Sequence, residues 1–210
     1  VNDCDKMVVE LEAEIVRDGV PALLDHLRFC GAMPELYGHD SSAEKLYSKY
    51  TDAVISAVFS HIGLKSVVLA ERADAADVQA EGSGYSLVAD AKAFRLSRTA
   101  KNQKDFKIQA LDGWRNKMDF ALVVCPIYQL PTRSSQIYQQ AITRNVCILS
   151  YTHLAVLVRL ADAISAQRAE AAFHEMLKAV GGLRPSKAAA DYWVGVNAAL
   201  LKSLGAEKAL

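Results

Sequence analysis

A chain of 210 residues and 22.9 kDa has room for one generous domain, or one domain with a small appendage, which excludes a large multidomain machine. With 51% hydrophobic and 23% charged residues it can build a real core, so wholesale disorder and low-complexity classes drop out. The 24 basic residues balance the 24 acidic ones, which argues against a protein that simply coats nucleic acid by net charge.

In chain order, the N-terminus Val1-Asn2-Asp3-Cys4-Asp5-Lys6 places acids where a secretory leader carries a basic flank, and no apolar run approaches a membrane span of about 18 residues. The chain reads as intracellular. Met7, Val8, Leu11 and Ile15 recur at helical spacing, and Pro21 opens a second apolar segment closed by Gly31 and Pro34, predicting two helices over the first 37 residues. Ser41-Ser42-Ala43-Glu44 fits a capping box. Leu46, Tyr50, Ala53, Val54, Ala57 and Val58 then mark one helical face, and Gly63 supplies the stop.

From Ser66 the period becomes strand-like: 66–71, 77–81 and 85–93 form a predicted three-strand meander with Gly82-Ser83-Gly84 as its second turn. Residues 99–118 are polar with a helical period in Phe106, Ala110 and Trp114, and 119–125 is a nearly continuous apolar strand ended by Pro126. A helix at 134–143, a strand at 146–151 and alanine-rich helices at 154–166, 169–180 and 188–204 complete the chain. Leu183-Arg184-Pro185-Ser186-Lys187 is the best candidate boundary, giving a unit at 1–182 with its core at about 41–160 and a C-terminal helical extension at 183–210. This order predicts an α/β fold, a mixed sheet flanked by helices. Cys4, Cys30, Cys125 and Cys147 stand far apart with no C-x-x-C pattern, so buried thiols are expected and not a zinc site.

The chemistry concentrates on the meander. If Ser83-Gly84 is a two-residue loop, Gly82 faces Tyr85 and the register places Asp77 opposite Asp90, with Lys92 on the same face two residues on. Carboxylates at roughly 5 Å repel by about 3 kcal/mol at an effective dielectric near 20, so a cation must offset them. Lys92 offsets part. A magnesium ion does so better, since it prefers one or two carboxylates, waters and phosphate oxygens to a full protein cage. Asp77, Asp90 and Lys92 would then serve metal-assisted hydrolysis of a phosphodiester. The competing explanation is a set of edge-strand charges that discourage aggregation.

The run from Leu87 through Asp90-Ala91-Lys92-Ala93-Phe94-Arg95 to Asn102-Gln103-Lys104-Asp105-Phe106-Lys107 resembles the HindIII restriction endonuclease family, within the PD-(D/E)xK nucleases. Weaker similarity extends from Glu44-Lys45-Leu46 through Ala76-Asp77-Val78 to Ser150-Tyr151-Thr152-His153-Leu154, about half of the chain. The resemblance implies an αβββαβ core, Asp77 and Asp90 as metal-binding acids and Lys92 as the catalytic lysine. Glu44 stands where many such nucleases place an additional acid. The proline that names the motif is replaced by Ala76, and the short spacing to Asp90 leaves Asp74 as an alternative to Asp77. The resemblance further implies a bacterial cytoplasmic type II enzyme that cuts both strands of a palindromic duplex, AAGCTT if specificity carries over. Such an enzyme acts as a homodimer and works beside a cognate DNA methyltransferase. The alternatives are a catalytically idle DNA-binding module of the same fold and a structure-specific repair nuclease.

Between Lys92 and Lys117 eight basic residues face two acids. Arg95, Arg98, Lys101, Lys104 and Lys107 step by three, a strip suited to phosphate contacts, and Asn102 and Gln103 interleave with it as candidates for base readout. A solvated helix face is the plainer account of the same pattern.

Overall fold

The computed structural model describes residues 3–69, 75–97 and 103–205. Two helices, α1 (Asp3–Asp18) and α2 (Val20–Phe29), precede a two-residue strand β1 (Ala32–Met33) and the long helix α3 (Ser42–His61). The meander follows as β2 (Lys65–Val68), β3 (Val78–Gly82) and β4 (Tyr85–Ala91), then a second short strand β5 (Phe94–Arg95). Next come α4 (Gln103–Phe106), α5 (Ile108–Trp114), β6 (Phe120–Cys125), α6 (Gln136–Thr143) and β7 (Val146–Ser150). Helices α7 (Tyr151–Ala163), α8 (Ala166–Gly181) and α9 (Ala189–Leu204) complete the chain. Among the described residues no helix is long and apolar enough to cross a membrane.

One five-stranded mixed sheet, ordered β2-β3-β4-β6-β7, forms the centre. Strands β2, β3 and β4 run antiparallel, while β6 and β7 lie parallel to β4. The apolar runs of β6 and β7 are buried along nearly their whole length, as expected for parallel strands covered on both faces. Edge strand β2 alternates between exposed and half-buried positions. This is the α/β architecture expected from the order of elements.

Local signals explain most boundaries. The Ser41 hydroxyl accepts the Glu44 amide, as a capping box requires, while the Glu44 carboxylate takes the amide of Asp40, one residue further out than the standard partner. Gly63 ends the helix segment with φ +99°. The predicted helix at 99–118 is instead two short helices. Lys107 adopts a left-handed φ of 48° that no helix interior tolerates, so the chain turns there and buries Phe106 and Ile108 on either side. The β1–β5 pair was not expected, because two residues leave no periodicity. It is parallel, Ala32 against Phe94 and Met33 against Arg95, and ties the N-terminal layer to the segment just after Lys92.

Helix α9, beyond the 183–187 segment, packs on α8 and shares the central core. Tyr192, Val196 and Leu200 are buried in it. The Tyr192 hydroxyl accepts the Ile148 amide at 2.6 Å and donates to the Ile148 carbonyl at 3.1 Å. It thereby satisfies the outward-facing backbone of edge strand β7. Cys30, Cys125 and Cys147 are buried free thiols, and burial pushes the Cys125 and Cys147 thiols up to about 12.

Candidate active site

The site grows from the β3–β4 hairpin. Gly82 pairs with Tyr85 and Val78 with Ala89, the register expected from a Ser83-Gly84 loop, and Gly84 has the φ of +83° that such a turn needs. One step past Val78 and Ala89 stand Asp77 and Asp90, near enough that Asp77 pushes the Asp90 carboxyl upward. Two features hold the register from outside. The Glu170 carboxylate on α8 accepts the Ser83 amide and, at 3.1 Å, the Ser83 hydroxyl. A Cβ at Gly82 would meet the Tyr85 ring and Glu170 Oε1.

Asp90 is 2% and Lys92 8% exposed, and the two form an ion pair at the C-terminal end of β4. The Lys92 backbone is fixed on both sides. Its amide donates to the Val124 carbonyl at 2.7 Å, and its carbonyl accepts the buried Tyr151 hydroxyl at 2.9 Å. Gly31 lies against the same carbonyl with φ +86°, a position where a Cβ would meet the Tyr151 ring. Residues from α2–β1, β4 and α7 therefore converge on one peptide group.

Helix α3 adds a third acid, Asp52, only 3% exposed. Sequence reasoning did not single it out. The signal was an acid inside the apolar run Thr51-Asp52-Ala53-Val54-Ile55, where a charge seldom sits without a partner or a task. Lys49, one turn earlier, donates to Asp77 Oδ1 at 3.2 Å and stands 3.7 Å from Asp52 Oδ2. Burial drives the Asp52 carboxyl well above the usual carboxylate range, with Asp77 adding to the rise and Lys49 opposing it. Burial also raises Asp90, against the pull of Lys92 and with a further push from Asp77. Two buried acids and the partly exposed Asp77 thus share one site with two ammonium groups.

The donor set suits a divalent cation of the magnesium kind. It consists of hard carboxylate oxygens on adjacent elements, and the buried Asp90 Oδ2 has the Lys92 ammonium against it and no well-aligned hydrogen bond. The acids are not drawn tight, however. Among the described residues the one set of three or more acidic, histidine or cysteine side chains whose ligand atoms all fall within 4.8 Å of one another is His39, Asp40 and Glu44. That cluster is largely exposed, and Glu44 is already engaged by the Asp40 amide and by Arg95 at 3.2 Å.

The other expected residues are more dispersed. Glu44 lies two turns before Asp52, about 12 Å along the helix axis, and is not brought to the hairpin acids. Arg95 is half-buried, held by Glu44 and by the Tyr37 carbonyl at 2.7 Å. Lys107 is exposed, with its ammonium 5.4 Å above the Trp114 ring. Gln103 and Lys104 open α4. Arg98, Lys101, Asn102 and Asp74 fall outside the described residues.

Comparison with known proteins agrees with this architecture. The type II restriction enzyme HindIII of Haemophilus influenzae is 46% identical over 140 residues, covering 66% of this chain and 47% of that protein. The chain therefore spans about half the length of the relative it matches. The profile of the HindIII restriction endonuclease family matches residues 1–210, the whole chain. By the match along its full length, the chain belongs to the HindIII restriction endonuclease family.

Proposed function

We propose that the protein is a magnesium-dependent type II restriction endonuclease that hydrolyses phosphodiester bonds in double-stranded DNA at a short palindrome and leaves 5′-phosphates. The observation that supports this most is the convergence of Asp77 and Asp90, the buried Lys92 and the Asp52 carboxylate on one end of the β3–β4 hairpin, in a chain of the HindIII family. Asp77 and Asp90 would hold the ion, with Asp52 behind them. When bound, magnesium supplies charge neutralisation at the scissile phosphate and a more acidic water. Lys92, locked through its backbone by Val124 and Tyr151, keeps its ammonium where negative charge develops on the phosphoryl oxygens. The basic segment after Lys92, with Arg98, Lys101, Asn102, Gln103, Lys104 and Lys107, would track the duplex. Arg95 would shape that segment through Glu44 and Tyr37.

Two-fold symmetry in the target calls for a homodimer with one site per strand. The working context is the bacterial cytoplasm, beside a cognate DNA methyltransferase, and AAGCTT is the first sequence to try. The test is incubation with plasmid and Mg²⁺, followed by mapping of the ends. Discrete fragments with 5′-phosphates, lost in Asp90→Ala while binding in Ca²⁺ persists, are the expected result. Binding without any cutting would mark an idle module. Nicking of branched DNA regardless of sequence would mark a repair nuclease.

A further inference from the structure

We infer that Lys49 is a resident counter-ion of the acidic site, occupying the carboxylates until a divalent cation displaces it, and thereby setting how much metal the protein needs. This rests on the metal-site assignment proposed above. The geometry is specific. Lys49 projects from α3 one turn before Asp52, is 17% exposed along its side chain, and bridges Asp52 Oδ2 and Asp77 Oδ1, residues on two different elements. Lys92 is already committed to Asp90. Of the three acids, the two that Lys92 does not pair are therefore the two that Lys49 touches.

A divalent ion held by Asp77 would compete with that ammonium. Lys49 donates directly to a proposed ligand oxygen, and a second cation at that oxygen meets like-charge repulsion. The lysine also has a reason to be there. Without it, the buried Asp52 and its neighbour Asp77 would lose the ammonium that touches both and keep only the weaker influence of Lys92 on Asp52, which costs stability whenever metal is scarce. The wider separation of the acids, which do not close into a set within 4.8 Å, fits an ammonium seated among them. Lys49 is thus a positioning residue. It keeps the carboxylates apart and soluble in the fold, and it yields to the ion.

Thermal unfolding without DNA, in EDTA and across a Mg²⁺ series, separates the possibilities. Lys49→Met should unfold at a lower temperature than wild type in EDTA. It should reach half of its magnesium-induced rise at about tenfold less Mg²⁺, a difference equivalent to about 1.4 kcal/mol. An unchanged melting temperature in EDTA, or an equal or higher magnesium requirement, would overturn the counter-ion role. In that case a wild-type rise that disappears in Asp90→Asn would leave the metal site itself standing. No magnesium-dependent rise in either wild type or Lys49→Met would overturn both. Should Lys49→Met not fold at any Mg²⁺ concentration, Lys49→Arg decides. It keeps the charge, so it must hold wild-type stability in EDTA with no lower magnesium requirement, and a lower requirement would refute the proposal.

Discussion

Removing a single oxygen two strands over from Asp90 should cost this protein much of its stability. In Tyr192→Phe the ring and its packing against Tyr138 remain, but the hydroxyl that accepts the Ile148 amide and donates to the Ile148 carbonyl is gone. Tyr192 is 0% exposed, so water does not replace it. Stranding a buried N–H costs about 1–3 kcal/mol, and the carbonyl, with its second lone pair, adds about 1, for a total of about 2–4 kcal/mol. In a domain of this size each kcal/mol lowers the melting temperature by about 2–4 °C, which predicts a fall of about 4–16 °C. Urea unfolding followed by circular dichroism, with calorimetry for the melting temperature, measures it. The denaturant slope should be unchanged, because the surface exposed on unfolding is the same. A loss under about 2 °C would refute the claim that α9 completes the edge of the sheet.

Other perturbations test the site and its supports. Gly31→Ala combines a positive φ with a contact against the Tyr151 ring and the Lys92 carbonyl; it should lower DNA cleavage by about 10²-fold through a displaced Lys92, and wild-type cleavage rates would contradict the convergence at that carbonyl. Glu170→Ala removes the acceptor of the Ser83 amide and hydroxyl and should cost about 1.5–3 kcal/mol in urea unfolding, with Glu170→Gln recovering part of it. His153 is held below the ordinary imidazole range chiefly by burial, and its Nδ1 faces the Ser150 amide and so must accept, which keeps the ring neutral in the fold. The unfolded chain therefore takes up a proton first as pH falls below about 6.5, so stability should be full above that pH and decline beneath it. His174, also lowered by burial and by Lys178, adds the same sign; the decline in melting temperature between pH 7.5 and 5.5 should be smaller in His153→Asn than in wild type, and equal slopes would refute the assignment.

The legible parts of this chain were those governed by neighbours in sequence. A two-residue loop at Ser83-Gly84 determines every pair along β3 and β4, so the register from Gly82 and Tyr85 to Val78 and Ala89, one step short of Asp77 and Asp90, was legible from the turn alone. The helix caps at Ser41 and Gly63 were equally local. What escaped were features created by distant approach. Asp52 looked like a helix residue among apolar neighbours, and only the packing of α3 on the sheet brings it to the hairpin acids. Glu44 carried a recognisable pattern, yet its carboxylate is spent on the Asp40 amide and Arg95. The break at Lys107 came from a left-handed residue of ordinary type, which no propensity flags. The boundary suggested by Pro185 interrupts the helices but not the core, since Tyr192 bridges back to Ile148 across 44 positions.

The meeting of Gly31, Lys92 and Tyr151 at one peptide group also bears on when during synthesis the proposed site is complete. Tyr151 is 59 positions downstream of Lys92, which at ribosomal speeds of about 5–20 residues per second is on the order of 3–12 s of translation. Until then a nascent chain carries the acids and the lysine with the lysine's carbonyl unheld, even after Val124 has taken its amide. For the nuclease proposed above, the order of the gene would thus postpone a fully held Lys92 until α7 has emerged.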